Sequence, residues 1–323
     1  MHGGGRFRSA RRLALGGVLG TLLAVGALVA APAPASAAPV TARPAHHGPR
    51  PRPRPAFYYV ALGDSLSQGV QPATPPLPPG VTLGETIETD QGYPDDLFAH
   101  YEAAFHGTLH LVKLGCPGET TTSMLTGTGS GCTYPRGSQL AAALAFIGAH
   151  RGEVRLITID IGANDIDGCA TGATINLSCV EAGAATVEHD LPLILGALRQ
   201  AAGKHAIIAG MSLYDPFLAG YLTGAAGQAA ATESVTLAEE FNQLLAAADR
   251  AIGAGTADAQ DAFSTADFTD TATLPGVGTV PLNVARICEW TWMCAPSPVG
   301  PNIHANAAGY QVLAGAFEQA IGG

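Results

Sequence analysis

The sequence contains no Cys-x-x-Cys pair, no internal repeat and no second linker after residue 56. Structural zinc sites use closely spaced cysteine pairs, so their absence argues against zinc, and no other metal-ligand spacing is present. Without a repeat or a further linker, residues 57–323 are expected to form one domain. That length is sufficient to bury a large core.

Acidic residues are absent from the first 56 positions, which hold eight of the 16 basic residues. Residues 57–323 therefore carry all 26 acids against the other eight bases, a net charge of −18. A surface with this excess of negative charge argues against nucleic acid as a partner of the domain.

The N-terminus has the pattern of a secretory signal peptide over residues 1–37. Four arginines precede an apolar stretch at 13–31, and Ala35-Ser36-Ala37 offers a small-residue cleavage site. Cleavage near Ala37 would make the protein secreted and extracellular. An uncleaved membrane anchor is the alternative, and the choice between general secretory and twin-arginine export stays open.

Residues 38–56 are rich in proline and arginine, as in the run at 50–55. Such a segment has little to bury and is expected to be an extended linker. Its positive charge also allows a weak contact with anionic wall polymers or a membrane surface. The domain itself is expected to be a monomer.

All six cysteines lie after the linker, and an even number behind an export signal indicates disulfides. We expect pairing between sequence neighbours, because each neighbouring pair brackets a loop rich in glycine, threonine or proline. The predicted pairs are Cys116 with Cys132, Cys169 with Cys179, and Cys288 with Cys294.

Short apolar segments alternate with longer helical patterns, which is typical of a parallel sheet covered on both faces. Strands are predicted at 57–62, 109–114, 154–161 and 206–211, with a weaker one at 257–262. Helices are predicted at 93–105, 138–150, 180–202, 234–252 and 307–321. The fold class is therefore α/β.

Polar segments follow the strands, where such sheets bind ligands. Gly63-Asp64-Ser65 follows the first strand, Gly115–Thr120 the second and Gly162–Asp165 the third. A fourth segment, Asn302–Asn306, precedes the last predicted helix and contains His304. A serine in such a turn suits a nucleophile, provided that a neutral imidazole can take its proton.

These four segments resemble the conserved blocks of the SGNH (GDSL-type) hydrolases, and the export signal and cysteine pairs are similar to secreted actinobacterial members. The resemblance implies a three-layer α/β/α sandwich around a five-stranded parallel sheet, with flavodoxin-like order. It implies Ser65 as nucleophile and His304 as general base. The oxyanion hole would comprise the Ser65 N–H, Gly115 and Asn164.

One position departs from the family pattern. The family usually has an aspartate three residues before the histidine, and Pro301 stands there. We therefore predict a Ser65–His304 dyad whose imidazole is held by Asn302 or by a backbone carbonyl of residues 290–301. A carboxylate distant in sequence, Asp64 or Asp165, is the alternative.

The sequence thus predicts a serine esterase or lipase that forms an acyl-enzyme on Ser65 from a small-molecule or lipid ester, without a cofactor. Tyr214, Phe217, Leu218 and Tyr221 follow the fourth strand and could line an acyl pocket or pack in the core. A carbohydrate or peptidoglycan O-acetyl esterase is the alternative within enzymes. A wall-associated binding protein on the same fold is the alternative outside them.

Overall fold

The structure, a computed structural model, describes residues 55–171 and 174–322. The predicted signal peptide and all of the predicted linker except Pro55 and Ala56 lie outside these residues. No helix within the described ranges is long and apolar enough to cross a membrane.

Five parallel strands form the central sheet in the order β2-β1-β3-β4-β5, as the resemblance implies. The strands are β1 Phe57–Gly63, β2 Leu109–Lys113, β3 Val154–Asp160, β4 Ile207–Met211 and β5 Gly255–Ala257. In this order the connections reverse direction between β1 and β3, which opens a crevice at the carboxyl ends of these two strands.

Eight α-helices are described: α1 Tyr93–Glu102, α2 Thr121–Thr126, α3 Gln139–Ala149, α4 Leu177–Ala202, α5 Ala225–Ala251, α6 Ala259–Ala262, α7 Leu282–Trp290 and α8 Ala307–Gly322. Four 3-10 helices lie at Leu66–Gln68, Ala163–Asp165, Asp167–Cys169 and Pro216–Thr223. Three two-stranded antiparallel sheets lie in the loops: Gln71–Pro72 with Thr86–Ile87, Ala170–Thr171 with Thr174–Ile175, and Thr271–Leu274 with Gly278–Pro281.

Strand β1 is apolar throughout because both of its faces are buried. Tyr59 and Ala61 belong to the core under α1 and α8, and Val60 and Leu62 belong to the core under α3 and α4. Alternate residues of one strand therefore hold two helical layers against the sheet, giving the predicted three-layer sandwich.

The weaker predicted strand at 257–262 is wrong in its position. Strand β5 ends at Ala257, and α6 occupies Ala259–Ala262, where Asp258 accepts a hydrogen bond from the Asp261 N–H as an N-cap. An N-cap aspartate ends the extended backbone, so the small residues after it form a helical turn.

Three disulfides join the cysteines that were predicted to pair: Cys116–Cys132, Cys169–Cys179 and Cys288–Cys294. Each closes a loop of 16 residues or fewer in sequence separation. The loops concerned are those that follow β2 and β3 and the one that precedes His304, so the covalent links restrain the segments that form the site.

Candidate active site

A cleft of about 460 Å³, including space open to solvent, lies at the carboxyl ends of the strands. Ser65, Asn164 and His304 all line it, so the structure brings together three of the four residues predicted from sequence. Gly115, the fourth, is not part of the lining.

The turn that carries Ser65 is possible only because β1 ends in glycine. Gly63 has φ +131°, and a Cβ there would lie 2.1 Å from the Asp160 carbonyl oxygen. The Gln139 side chain donates to the Gly63 carbonyl at 2.9 Å and accepts from its N–H at 2.8 Å. Helix α3 thus fixes the turn. Ser65 is the N-cap residue of a short 3-10 helix, and only 9 % of the surface of Ser65 is exposed.

Asp64 braces this turn. Its carboxylate accepts from the Leu66 N–H at 3.0 Å and from Asn164 Nδ2 at 3.1 Å, and the Ser65 hydroxyl lies 3.4 Å away. Burial raises the pKa of Asp64 to about 6, although the hydrogen bonds from the Leu66 N–H and the Ser65 hydroxyl lower it. One carboxylate therefore connects the turn after β1 to the loop after β3.

A second carboxyl lies beneath the first. The Asp64 N–H donates to the Asp160 backbone at 3.1 Å and to its Oδ2 at 3.3 Å, and the Tyr93 hydroxyl donates to Oδ1. Burial and the neighbouring charge of Asp64 raise the pKa of Asp160 well above its ordinary value. The Asp160 carboxyl is therefore harder to ionise than an exposed aspartate.

Asn164 links three segments. Its Nδ2 donates to the Glu119 carbonyl at 3.1 Å and to Asp64 Oδ2 at 3.1 Å. Next to it, the Asp165 carboxylate accepts from the N–H and hydroxyl of Thr121 at 3.0 and 2.8 Å. Both carboxylates considered as partners of His304 are therefore engaged elsewhere.

Gly115 has a packing role in the loop after β2. A Cβ at this position would lie 1.8 Å from Ser67 Oγ, so a larger residue would displace the 3-10 helix that Ser65 begins. Gly118 in the same loop has φ +78° and open space beside its α-carbon.

His304 is held by Asn302, one of its two predicted partners. Asn302 Oδ1 lies 2.7 Å from His304 Nδ1 and 3.0 Å from the His304 backbone nitrogen. Because the amide oxygen can only accept, Nδ1 carries the proton and Nε2 is left as the basic nitrogen. Burial lowers the pKa of His304 to about 4, so the imidazole is neutral at pH 7.

The loop before His304 is anchored at two further points. The Trp292 N–H donates to the His304 carbonyl at 3.1 Å, and the Tyr214 hydroxyl donates to the Ile303 carbonyl at 2.7 Å. These contacts fix the backbone on both sides of the imidazole. Tyr214 also lines the cleft, whereas Leu218 is fully buried in the core.

The arrangement can perform nucleophilic and general-base chemistry. In the described part of the chain, no cluster of three or more histidine, cysteine, aspartate or glutamate side chains is placed to hold a metal ion. The cleft instead combines a serine hydroxyl, a neutral imidazole of fixed tautomer and an amide donor, which are the groups that acyl transfer uses.

A known family model matches most of the chain. The family model for GDSL-like lipases and acylhydrolases matches residues 61–312. No curated protein matches the chain.

Among solved structures, the chain is similar to an extracellular lipase from Streptomyces rimosus, with 20 % identity over 82 % of this chain and 100 % of that one and a TM-score of 0.49. An acetylxylan esterase from Geobacillus stearothermophilus matches with 15 % identity over 83 % and 94 %, with a TM-score of 0.47. A GDSL-like lipase from Parabacteroides merdae matches with 16 % identity over 82 % and 95 %, with a TM-score of 0.49.

The family model covers well over half of the chain and includes the turn with Ser65, the loop with Asn164 and the segment with His304. The protein therefore belongs to the GDSL-like lipase/acylhydrolase family of hydrolases.

Proposed function

We propose that the protein is an exported serine esterase that hydrolyses carboxylic esters with Ser65 as nucleophile and His304 as general base. The observation that carries the proposal is the meeting of Ser65, Asn164 and His304 in one cleft, with the histidine tautomer set by Asn302. Export with cleavage after Ala37 and a linker at 38–56 are part of the proposal. N-terminal sequencing of protein recovered from the culture medium tests the cleavage.

In the proposed reaction, His304 Nε2 takes the Ser65 hydroxyl proton as the serine oxygen attacks the ester carbonyl carbon. The carbonyl oxygen becomes an oxyanion, and the imidazolium then returns the proton to the departing alcohol. The acyl group remains on Ser65 until a water molecule, deprotonated by the same imidazole, attacks it. Release of the carboxylic acid restores the serine hydroxyl.

The oxyanion would be bound by the Ser65 N–H, the Gly115 N–H and the Asn164 amide. Each such donor is worth about 3–4 kcal/mol in the transition state of related acyl transfers. Because Asn164 donates to Asp64 and Glu119 in the free protein, it would exchange its bond with Asp64 for one with the oxyanion. The Asp64 carboxylate and the oxyanion are both acceptors with negative charge, so the Asn164 amide would keep a similar partner after the exchange.

Acid tolerance follows from the low pKa of His304. The base must be neutral to accept a proton, and burial lowers its pKa from 6.5 to about 4. We expect kcat/KM for p-nitrophenyl butyrate to keep its plateau down to about pH 5 and to reach half of it near pH 4. The measurement is an initial-rate profile from pH 3.5 to 9, and a half-point near pH 6.5 would contradict the account.

The fold is expected to survive the acidic end of that profile. Asp64, Asp215 and Asp249 have pKa values raised to about 6 by burial. The folded protein therefore binds their protons more tightly than the unfolded chain, and their contribution to stability is present at low pH and lost as the pH rises through 6. His304 acts in the opposite direction, because its pKa is lower in the folded protein than in the unfolded chain. It reduces the stability as the pH falls from 6.5 to about 4 and causes no further loss below that pH.

The partner of His304 gives a second prediction. Asn302→Ala removes the acceptor that fixes the Nδ1–H tautomer, and we expect kcat to fall about 10²-fold. Asn302→Asp keeps the acceptor and adds a negative charge, so it is expected to retain activity and to shift the acid limb of kcat/KM upward by about one pH unit or more. Steady-state kinetics of both variants across pH measure this. If the acid limb of kcat/KM lay at the same pH in wild type and in Asn302→Asp, the side chain at position 302 would not contact the imidazole in solution.

Hydrolysis of p-nitrophenyl esters from acetate to palmitate tests the proposed activity. Met211, Leu213, Tyr214 and Pro216 make much of the cleft wall apolar, so we expect acyl chains longer than acetyl to be preferred. A sharp preference for acetate would favour an O-acetyl esterase. No hydrolysis of any ester would favour a binding protein on this fold.

A further inference from the structure

A second apolar cavity adjoins the cleft of Ser65 and His304. It measures about 510 Å³, including space open to solvent, and shares four lining residues with the cleft: Asp167, Leu213, Tyr214 and Pro216. Most of its other lining side chains are apolar and come from residues 166–180, from the segment after β4 and from α5, among them Ile175, Val180 and Ala238. We call this space the distal cavity.

Asp167 stands in the wall that the two spaces share. It begins a 3-10 turn, Asp167–Cys169, that the Cys169–Cys179 disulfide ties to α4. Within the described residues its carboxyl has no hydrogen-bond partner, in contrast to Asp64, Asp165 and Asp215. Asp167 is partly buried, and a carboxyl that is partly withdrawn from water without a partner is unfavourable, so its place beside a substrate cleft calls for a role.

We propose that the acyl chain of the substrate runs from Ser65 past Asp167 into the distal cavity, and that Asp167 sets the acyl length the enzyme accepts. The inference rests on the proposed function, because it assumes an acyl group on Ser65. Short acyl groups end within the cleft and do not meet Asp167. Longer chains place methylene groups against its carboxyl.

The charge of Asp167 then decides whether a long chain is accepted. Methylene groups strip water from the carboxyl, which a neutral acid tolerates far better than a carboxylate. Burial and the charges of Asp64 and Asp215 raise the pKa of Asp167 to about 7. Acceptance of long chains should therefore fall as the pH rises through about 7.

The other groups that face Asp167 do not compensate for its charge. Asp64, His304 and Tyr214 line the cleft, and Asp215 and Tyr214 line the distal cavity. The pKa values of Asp64 and Asp215 are raised to about 6, that of His304 is lowered to about 4, and burial raises that of Tyr214 well above 10. Since no lysine or arginine lines either space, ionised Asp167 has no counter-charge there.

The experiment compares kcat/KM for p-nitrophenyl decanoate and acetate at pH 6 and pH 8.5. For wild type, we expect the decanoate-to-acetate ratio to be about tenfold lower at pH 8.5. In Asp167→Asn and Asp167→Leu the ratio should no longer depend on pH, and at pH 8.5 Asp167→Leu should exceed wild type by about tenfold or more. Asp261→Asn, which changes an exposed carboxylate elsewhere, should behave as wild type.

A second variant tests the path itself. Ala238→Trp fills the distal cavity and should lower kcat/KM for decanoate about tenfold or more, with acetate changed less than twofold. If the decanoate-to-acetate ratio of kcat/KM stayed at the wild-type value in both Asp167→Leu and Ala238→Trp, the proposal would be overturned. Ester hydrolysis itself would still stand.

A binding measurement separates this inference from the proposed function. If neither ester is hydrolysed, the proposed function fails, and calorimetric titration of methyl octanoate at pH 8.5 still tests the path. Tighter binding to Asp167→Leu than to wild type supports the path past Asp167. Equal binding, or binding that Ala238→Trp leaves unchanged, overturns it.

Discussion

Ser65→Ala is expected to lower kcat for p-nitrophenyl butyrate by about 10⁴-fold or more, because the proposed acyl-enzyme forms on the hydroxyl that this substitution removes. The substitution removes one oxygen, which donates a long hydrogen bond of 3.4 Å to the Asp64 carboxylate. The main restraints of the turn do not involve that oxygen, since Asp64 holds the Leu66 N–H and Gln139 holds Gly63. Folding should therefore be unaffected, and the loss should appear in kcat alone.

The matched control for this variant is Ser178→Ala, which removes the hydroxyl of an exposed serine near the start of α4. It should retain full activity. Thermal unfolding of both variants distinguishes chemistry from folding. A Ser65→Ala protein that unfolds at the wild-type temperature and keeps more than a tenth of the wild-type kcat would contradict the account.

His304→Ala has the second large effect, about 10⁴-fold in kcat, because the serine hydroxyl then has no base. The double variant Ser65→Ala/His304→Ala should be no slower than Ser65→Ala, since the two groups act in one step. A control is His205→Ala, whose imidazole is exposed on the loop before β4. Steady-state rates for the four variants and wild type measure the coupling.

Two outcomes would contradict this role for His304. If the losses from Ser65→Ala and His304→Ala multiplied in the double variant, the residues would act independently. If Asp64→Asn abolished activity as fully as His304→Ala while its fold and its Asn164 contact were retained, a carboxylate would share the proton transfer. The structure instead places Asp64 against Leu66 and Asn164.

The sheet could be predicted from the sequence because each central strand is a short apolar segment, and β1 is buried on both faces. Helix α5 begins at Ala225, nine positions before its predicted start, because its first turns contain alanine and glycine and show little apolar periodicity. Helix α7 was missed because its buried side chains contact the hairpin Thr271–Pro281, a tertiary partner that no local pattern reveals.

The site was predictable where chemistry and strand ends coincide. Ser65 and Asn164 follow strand ends, whereas His304 lies in the segment before α8, and all three line one cleft. Asn302 was one of two partners inferred from the proline at 301. The packing of Gly115 against Ser67 depends on how two loops meet, so it could not be read from the chain. The role proposed for Asp167 likewise depends on two cavities that share it, which no local pattern reveals.

The most direct test of the central claim is to react the protein with a fluorophosphonate and locate the adduct by peptide mass spectrometry. The account predicts one phosphonyl group on Ser65, none in Ser65→Ala, and labelling of His304→Ala slowed at least about 100-fold because the serine lacks its base. An adduct on another residue, or equal labelling of wild type and His304→Ala, would contradict a Ser65 nucleophile activated by His304.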